Sequence, residues 1–169
     1  RFLLVAAMNP CPCGNEGQPG GCRCSPAGLA RYSRRLSAPL LDRFDLRITV
    51  GRPDPGQLLD GVKGEPSSAV QERVLAAREQ AKPRGVTVNA ELRGAHLEAL
   101  SPFDDLGMEE LGRLLRTNVI TGRGLERLRR VSLTLADLAG DSLPLGLRHV
   151  QGAMKLRMEP PFLRARRAG

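Results

Sequence analysis

The sequence has 169 residues and a formal net charge of +8 at pH 7, and 41% of its residues are hydrophobic although only 3% are aromatic. This length and composition fit one or two small domains whose cores consist mainly of leucine, valine and alanine. No apolar run approaches the roughly 20 residues that a membrane-spanning helix requires, and no signal peptide is visible, so the sequence excludes a membrane role and predicts a cytoplasmic protein.

The excess of positive charge suits a polyanionic partner such as nucleic acid. Most of the 26 basic residues are arginines, however, which a GC-rich genome also favours. The scarcity of aromatic side chains leaves no platform for base stacking. The charge by itself therefore leaves DNA binding open.

The first predicted element is the apolar run at residues 2–7, which is typical of a strand buried on both faces of a parallel sheet. The run ends before Pro10, because proline cannot donate a hydrogen bond to a sheet. We therefore expect Asn9 at the carboxyl end of a strand, where open α/β sheets bind their ligands. An amide in this place can orient the water that attacks a γ-phosphate.

The cysteines of the chain all lie in the glycine-rich loop at residues 11–24, with the spacing C-x-C-x8-C-x-C. Such a loop can direct four thiolates at one Zn²⁺, and a shell closed by four cysteines predicts a structural metal. The commoner spacing is C-x2-C, so free thiols remain an alternative, as do two disulfides, which a cytosolic setting disfavours. The predicted ligands are Cys11, Cys13, Cys22 and Cys24.

A helix is predicted over residues 30–41. Its arginines can face DNA, a neighbouring subunit's nucleotide or simply solvent. They are Arg31, Arg34 and Arg35.

Arg43 follows in the motif LLDRFD, directly before a second strand-like alternation at residues 46–50. An arginine at such a junction can stabilise the charge that develops on a γ-phosphate. The alternative is a structural ion pair with Asp42 or Asp45.

The proline- and glycine-rich stretch at residues 53–66 predicts a linker between a sheet-containing part and a helical lid. The lid is predicted at residues 67–158, with a capping box formed by Ser68 and Gln71 at the start of its first helix. The basic, proline-broken tail is expected to be disordered. The predicted parts are residues 1–52, 53–66, 67–158 and 159–169, and the predicted lid helices span residues 68–82, 90–100, 107–116 and 121–140.

The last of these helices contains the most unusual arginine of the lid. Thr121 is the expected N-cap and Gly140 the C-cap. Arg123 lies in the first turn, where a cation opposes the helix dipole, and a residue that opposes local preference is often functional. Helix starts also attract phosphate, although a solvated arginine is the alternative. Further along, Arg127, Arg129 and Arg130 are expected to be solvated or to reach DNA, and His96 and His149 are expected to have ordinary surface or core roles.

Four motifs, taken together and in order, resemble the ComM/YifB-like family of magnesium-chelatase-related AAA+ ATPases. They are AAMNPCPCG, CRCSP, RYSRRLSAPLLDRFDL and ITGRGLERLRRVSLTLADLAG. The resemblance covers essentially the whole chain and places it in the C-terminal portion of that family. It implies an α/β fragment, comprising the last strands of an AAA+ core with the cysteine-rich loop, followed by an all-α helical lid domain.

The resemblance also implies roles for individual residues. Asn9 corresponds to the first sensor, Arg43 to the arginine finger that enters the adjacent subunit's site, and Arg123 to the second sensor. The implied cofactor is ATP with Mg²⁺, held between the subunits of a homo-oligomeric ring, expected to be a hexamer. The implied work is movement on single-stranded or branched DNA, such as branch migration in recombination and natural transformation.

The chain departs from the family pattern in several places. Leu133 replaces an arginine, and Gly152 and Leu156 stand where the last helix usually has glutamate and tyrosine. There is also no G-x-x-x-x-G-K-[ST] loop and no acidic magnesium motif, and the sequence begins inside an apolar run. We therefore expect a piece that is inactive alone, with its nucleotide-binding half upstream.

Two other functions remain open. One is the ATPase subunit of a magnesium-chelatase-type complex that inserts metal into a porphyrin. The other is a stand-alone zinc-binding nucleic-acid module, which would leave Asn9, Arg43 and Arg123 without a role.

Overall fold

The computed structural model describes residues 3–16, 20–51, 53–61 and 63–158. The chain divides into two compact units, one built on Arg1–Arg47 and the other comprising Ile48–Met158. The tail predicted to be disordered, residues 159–169, lies outside the described residues. Within the described residues, no helix has the length and apolar character that a membrane span requires.

The first unit contains two short helices, α1 (Pro26–Ser33) and α2 (Ala38–Leu41). Helix α1 begins with a proline after Ser25, whose Oγ accepts a hydrogen bond from Gly28 N at 3.2 Å. The single helix predicted over residues 30–41 is therefore wrong. It is interrupted before Pro39, which has no N–H to continue a helical ladder.

The predicted α/β fragment is also wrong for the described residues, which contain no strand and no sheet. The segments at residues 3–9 and 46–50 have no regular structure, and their apolar side chains are open to solvent, with Leu3 88% and Val50 87% exposed. An apolar run or an alternation shows that a segment suits a sheet, but a strand also needs a neighbour to pair its backbone groups. No described residue supplies that neighbour, and the isolated bridge is the parallel contact of Phe103 with Leu145.

A helix, α3 (Pro55–Leu59), lies within the predicted linker. The carboxylate of Asp54 accepts hydrogen bonds from Gly56 N at 2.8 Å and Gln57 N at 3.2 Å. An aspartate N-cap followed by proline is a strong helix start, which explains a helical turn in a stretch that lacks an apolar period.

The remainder of the second unit is helical, as predicted. Its α-helices are α4 (Ser67–Ala81), α5 (Gly94–Leu100), α6 (Asp105–Arg116), α7 (Gly122–Ala139) and α8 (Leu147–Lys155), and short 3₁₀ turns occupy Lys82–Arg84 and Asn89–Glu91. The capping box predicted for α4 is absent. The N-cap residue of α4 is Pro66, and no side chain forms a cap hydrogen bond there. The caps of α7 are confirmed: Thr121 Oγ1 accepts from Gly124 N at 3.1 Å, and Gly140 ends the helix with φ of +70°.

Helix α7 is the centre of this unit, because it contributes to both apolar clusters. Leu128 is fully buried in the first cluster and Leu133 in the second. The departure from the family pattern at position 133 therefore places an apolar residue in a core. The first cluster comprises Leu111, Leu114, Ile120, Leu128, Val131, Val150 and Ala153, and the second comprises Leu92, Leu97, Leu133, Ala136 and Leu145.

A buried polar network fastens the 3₁₀ turns to α7. Arg84 binds both carboxylate oxygens of Asp137, with distances of 2.7 and 2.6 Å, and Asn89 Nδ2 donates to the same carboxylate at 2.7 Å. Asn89 Nδ2 also donates to Thr134 Oγ1 at 3.1 Å. Asp137 is only 7% exposed, and these donors satisfy the hydrogen-bonding capacity of its buried carboxylate.

Candidate functional site

The four cysteine sulfurs converge on one point in the first unit. Their Sγ atoms all lie within 4.8 Å of one another. The Sγ atoms of Cys11 and Cys13 are 3.4 Å apart, those of Cys13 and Cys22 3.6 Å, and those of Cys22 and Cys11 3.5 Å. We call Cys11, Cys13, Cys22 and Cys24 the four-cysteine cluster.

The sulfur separations in the four-cysteine cluster argue against disulfides and bear on metal binding. A disulfide needs sulfurs about 2.05 Å apart, which these are not, and the cysteines are free. A tetrahedral Zn²⁺ with Zn–S bonds of about 2.3 Å places its sulfurs about 3.8 Å apart. The observed separations are close to that value, so the residues present fit a tetrahedral soft metal.

Local turns fold the loop around this point. Gly14 N donates to Cys11 O at 3.0 Å, which closes a tight turn between the first two cysteines. Gly14 has φ of +76° and Gly21 has φ of +70°, a left-handed conformation that glycine adopts without steric cost. The predicted loop glycine Gly17 lies outside the described residues.

The thiols of the four-cysteine cluster differ in acidity. Backbone N–H groups of Asn15 and Arg23 lower the pKa of Cys13 to about 6. For Cys22, the hydrogen bond from Cys24 N lowers the pKa, but desolvation and the neighbouring thiols outweigh it and raise the pKa to about 12. Desolvation likewise raises the pKa of Cys24. Four thiolates this close repel one another, so a fully ionised set requires a bound cation.

Asn9 lies directly before the four-cysteine cluster. Its backbone oxygen accepts a hydrogen bond from the Tyr32 hydroxyl at 2.9 Å, and its side chain is exposed. Tyr32 stands on α1, so the contact joins the start of the cysteine loop to the helix that follows it. Sequence reasoning missed this contact, which the position of the chain's one tyrosine does not reveal.

Arg43 lies just after α2 and is exposed. Its Nη1 donates to Pro39 O at 2.8 Å, which folds the guanidinium back onto the helix. An exposed arginine held by a single described hydrogen bond to a carbonyl can be redirected towards a phosphate at small cost.

Arg123, in the second unit, is an exposed residue in the first turn of α7. Arg130 is not solvated as expected, because its side chain is only 13% exposed. Arg129 is only 8% exposed, donates to Ser101 O at 3.1 Å and stacks 5.1 Å from the centre of the Phe103 ring. The expectation that Arg129 is solvated or reaches DNA is therefore wrong, because the packed interior of the helical unit encloses its guanidinium.

Arg31 of α1 and the two arginines that follow this helix are exposed, as a solvated or ligand-facing surface requires. Arg31 and Arg35 border a solvent-open groove of about 390 Å³ together with Pro12, Gly28 and Tyr32. Arg34 lies at the end of the helix.

Among the histidines, His149 is buried and structural. Its Nδ1 accepts from Gly146 N at 2.9 Å and its Nε2 contacts Asp141 Oδ2 at 2.9 Å. The histidine therefore holds the start of α8. His96 is exposed, so both residues have the ordinary roles expected of them.

One unit contains four converging thiols whose geometry fits a tetrahedral metal, and the other unit is a packed helical bundle. Comparisons with known proteins supply the family. The model of "Magnesium chelatase, subunit ChlI" matches residues 1–58, and that of "Magnesium chelatase, subunit ChlI C-terminal" matches residues 64–157. The chain belongs to the magnesium-chelatase-related AAA+ family, which confirms the resemblance of its motifs to ComM/YifB-like proteins.

Curated relatives agree with this assignment. The chain is 40% identical to an uncharacterized protein of Mycobacterium tuberculosis over 93% of its own length and 31% of the relative's. It is 40% identical to the competence protein ComM of Haemophilus influenzae over 83% of this chain and 28% of that protein. Identity to the uncharacterized protein YifB of Escherichia coli is 39%, over 93% of this chain and 31% of YifB. The chain thus spans about a third of the length of these relatives.

Proposed function

We propose that this chain is the C-terminal portion of an AAA+ ATPase that moves DNA strands in recombination and natural transformation. The observation that carries this proposal is the 40% identity to the competence protein ComM over 83% of the chain. The positive charge of the chain and the exposed residues Arg31, Arg34 and Arg35 support a DNA partner, single-stranded or branched.

In this proposal, ATP with Mg²⁺ is bound between the subunits of a homo-oligomeric ring, most simply a hexamer. Asn9 orients the attacking water, Arg43 reaches the γ-phosphate of the adjacent subunit, and Arg123 senses the phosphate from the helical unit. The exposure of all three side chains supports these roles, because each must reach a nucleotide outside its own unit's core.

The four-cysteine cluster is proposed to hold one structural Zn²⁺. The support is the convergence of the sulfurs at separations close to those of a tetrahedral site. All four positions of such a shell are filled by protein ligands, so the metal orders the loop and takes no part in hydrolysis.

A second candidate function is the ATPase subunit of a magnesium-chelatase-type complex. It is favoured by the descriptions of both matching family models. The two candidates share the ATPase parts and differ in what stimulates them.

The test is ATP hydrolysis by the full-length protein with and without single-stranded or branched DNA. Strong stimulation by DNA supports the DNA motor, and robust hydrolysis that ignores DNA favours the chelatase-type function. A protein that hydrolyses no ATP under either condition contradicts both.

The proposed arginine finger gives the sharpest single-residue test. We expect Arg43→Ala to lower kcat by about 10³-fold or more, with ATP binding unchanged, because the finger stabilises charge only in the transition state. Arg78→Ala, which removes an exposed arginine from α4, is the matched control and should hydrolyse ATP normally. Normal hydrolysis by Arg43→Ala would remove Arg43 from the mechanism.

A further inference from the structure

Tyr32 connects the end of α1 to the residue that precedes the four-cysteine cluster. Its hydroxyl donates to Asn9 O at 2.9 Å across 23 positions of sequence. The ring is half-buried, and it is the only tyrosine of the chain. The contact therefore fixes a backbone group of Asn9 and leaves its side-chain amide available.

The chain between Asn9 and Tyr32 forms a closed path. Asn9 is two residues before Cys11, and the cysteine loop ends at Cys24, directly before the N-cap Ser25 of α1. Helix α1 then returns the chain to Asn9 through Tyr32. This path has two closures: the convergence of the thiols and the hydroxyl–carbonyl hydrogen bond.

The side chain of Asn9 lies near the first turn of the loop without a described hydrogen bond to it. A Cβ added to Gly14 would lie 3.9 Å from Asn9 Nδ2, and Gly14 N is itself bonded to Cys11 O. A metal held by Cys11 and Cys13 would fix the turn that lies between them. The backbone that carries Asn9 therefore leads within two residues to a cysteine of the four-cysteine cluster.

We infer that Tyr32 is a positioning residue for Asn9 and that it acts together with a metal held by the four-cysteine cluster. This inference rests on the proposed role of Asn9 in ATP hydrolysis. Loss of either closure frees Asn9 to shift, and a displacement of about 1 Å can lower a rate by about 10²-fold. Nucleotide affinity is not expected to change, because the proposed role of Asn9 is to orient the attacking water and not to bind ATP.

The experiment compares Tyr32→Phe with Ser33→Ala in the full-length protein. Each variant removes one hydroxyl from α1, but Ser33 Oγ donates within its own helix, to Leu29 O at 2.9 Å. For Tyr32→Phe we expect kcat for ATP to fall about tenfold or more, with KM and the zinc content unchanged. Hydrogen exchange in peptides covering residues 9–14 should rise. Ser33→Ala should match the wild type in every measurement.

The metal provides the second arm of the experiment. In the metal-free Cys22→Ser variant, adding Tyr32→Phe should lower kcat little further, because both changes release the same residue, Asn9. The kcat losses of the two single variants should therefore not add in the double variant. Additive losses, or normal kcat and normal exchange in Tyr32→Phe, would overturn the inference. A wild-type protein that does not hydrolyse ATP would overturn the proposed function instead, and the exchange at residues 9–14 would still decide whether Tyr32 holds Asn9.

Discussion

The two units of the chain are ordered by different interactions. In the described part of Arg1–Arg47, the buried hydrophobic residues are Cys11 and Leu41, whereas Ile48–Met158 buries two leucine-rich clusters around α7. A segment with so little apolar burial needs another source of order, which the proposed structural metal would supply. The proposed hydrolysis residues Asn9 and Arg43 both belong to the unit with the smaller core.

Metal removal should produce the largest difference in hydrogen exchange between the two units. Binding of a structural Zn²⁺ can contribute on the order of 10–16 kcal/mol to the folding of a small site. We expect a chelator, or Cys22→Ser, to raise hydrogen exchange across residues 3–47 and to leave the helices of the second unit protected. Mass spectrometry of exchanged peptides, with the zinc content measured in parallel, checks this. Unchanged exchange in the zinc-free protein would mean that the loop is ordered without metal.

Breaking the buried ion pair of Arg84 with Asp137 tests whether the second unit is stabilised by its own buried contacts. Arg84→Ala leaves the carboxylate of Asp137 buried without its bidentate partner, which should cost about 3–5 kcal/mol in the free energy of unfolding. Arg113→Ala is the matched control, because it removes an exposed pair with Glu110 that is worth about 1 kcal/mol or less. Denaturant unfolding measures both, and zinc content should stay constant. Equal losses in the two variants would show that the Arg84 network contributes no more than a surface pair.

The sequence predicted the helical unit well because its signals are local. Thr121 and Gly140 mark the ends of α7 by their own cap chemistry, and the apolar spacing between them reports which face is buried. The close approach of the four cysteines also follows from local features, since glycines and short spacings let a loop fold back.

The predicted strands were wrong because strand formation is not decided locally. The runs at residues 3–9 and 46–50 have the composition of strands, but pairing is a non-local property and no described residue completes it. The contacts of Tyr32 with Asn9 and of Arg84 with Asp137 could not be predicted either, because the residues of each pair are far apart in the sequence. Arg129 illustrates the same limit: its charge suggested a surface, whereas its partners Ser101 and Phe103 lie far away in sequence.

The smallest expected effect concerns Asp141, which directly follows the C-cap of α7 and contacts His149 of α8. The hydrogen bond from His149, followed by the charge of Arg148, lowers the pKa of this carboxyl below its ordinary value. A lowered folded-state pKa means that the carboxylate stabilises the fold above the ordinary aspartate pKa, and that this contribution is lost as the pH falls through the lowered value. Asp141→Asn should therefore lower the denaturant midpoint at pH 7 and match the wild type at a pH below that value. Because His149 is the larger cause, Arg148→Ala should lose only the smaller part of this difference. An Asp141→Asn deficit that persists unchanged into acid would mean that the side chain acts by packing, and that its charge contributes nothing.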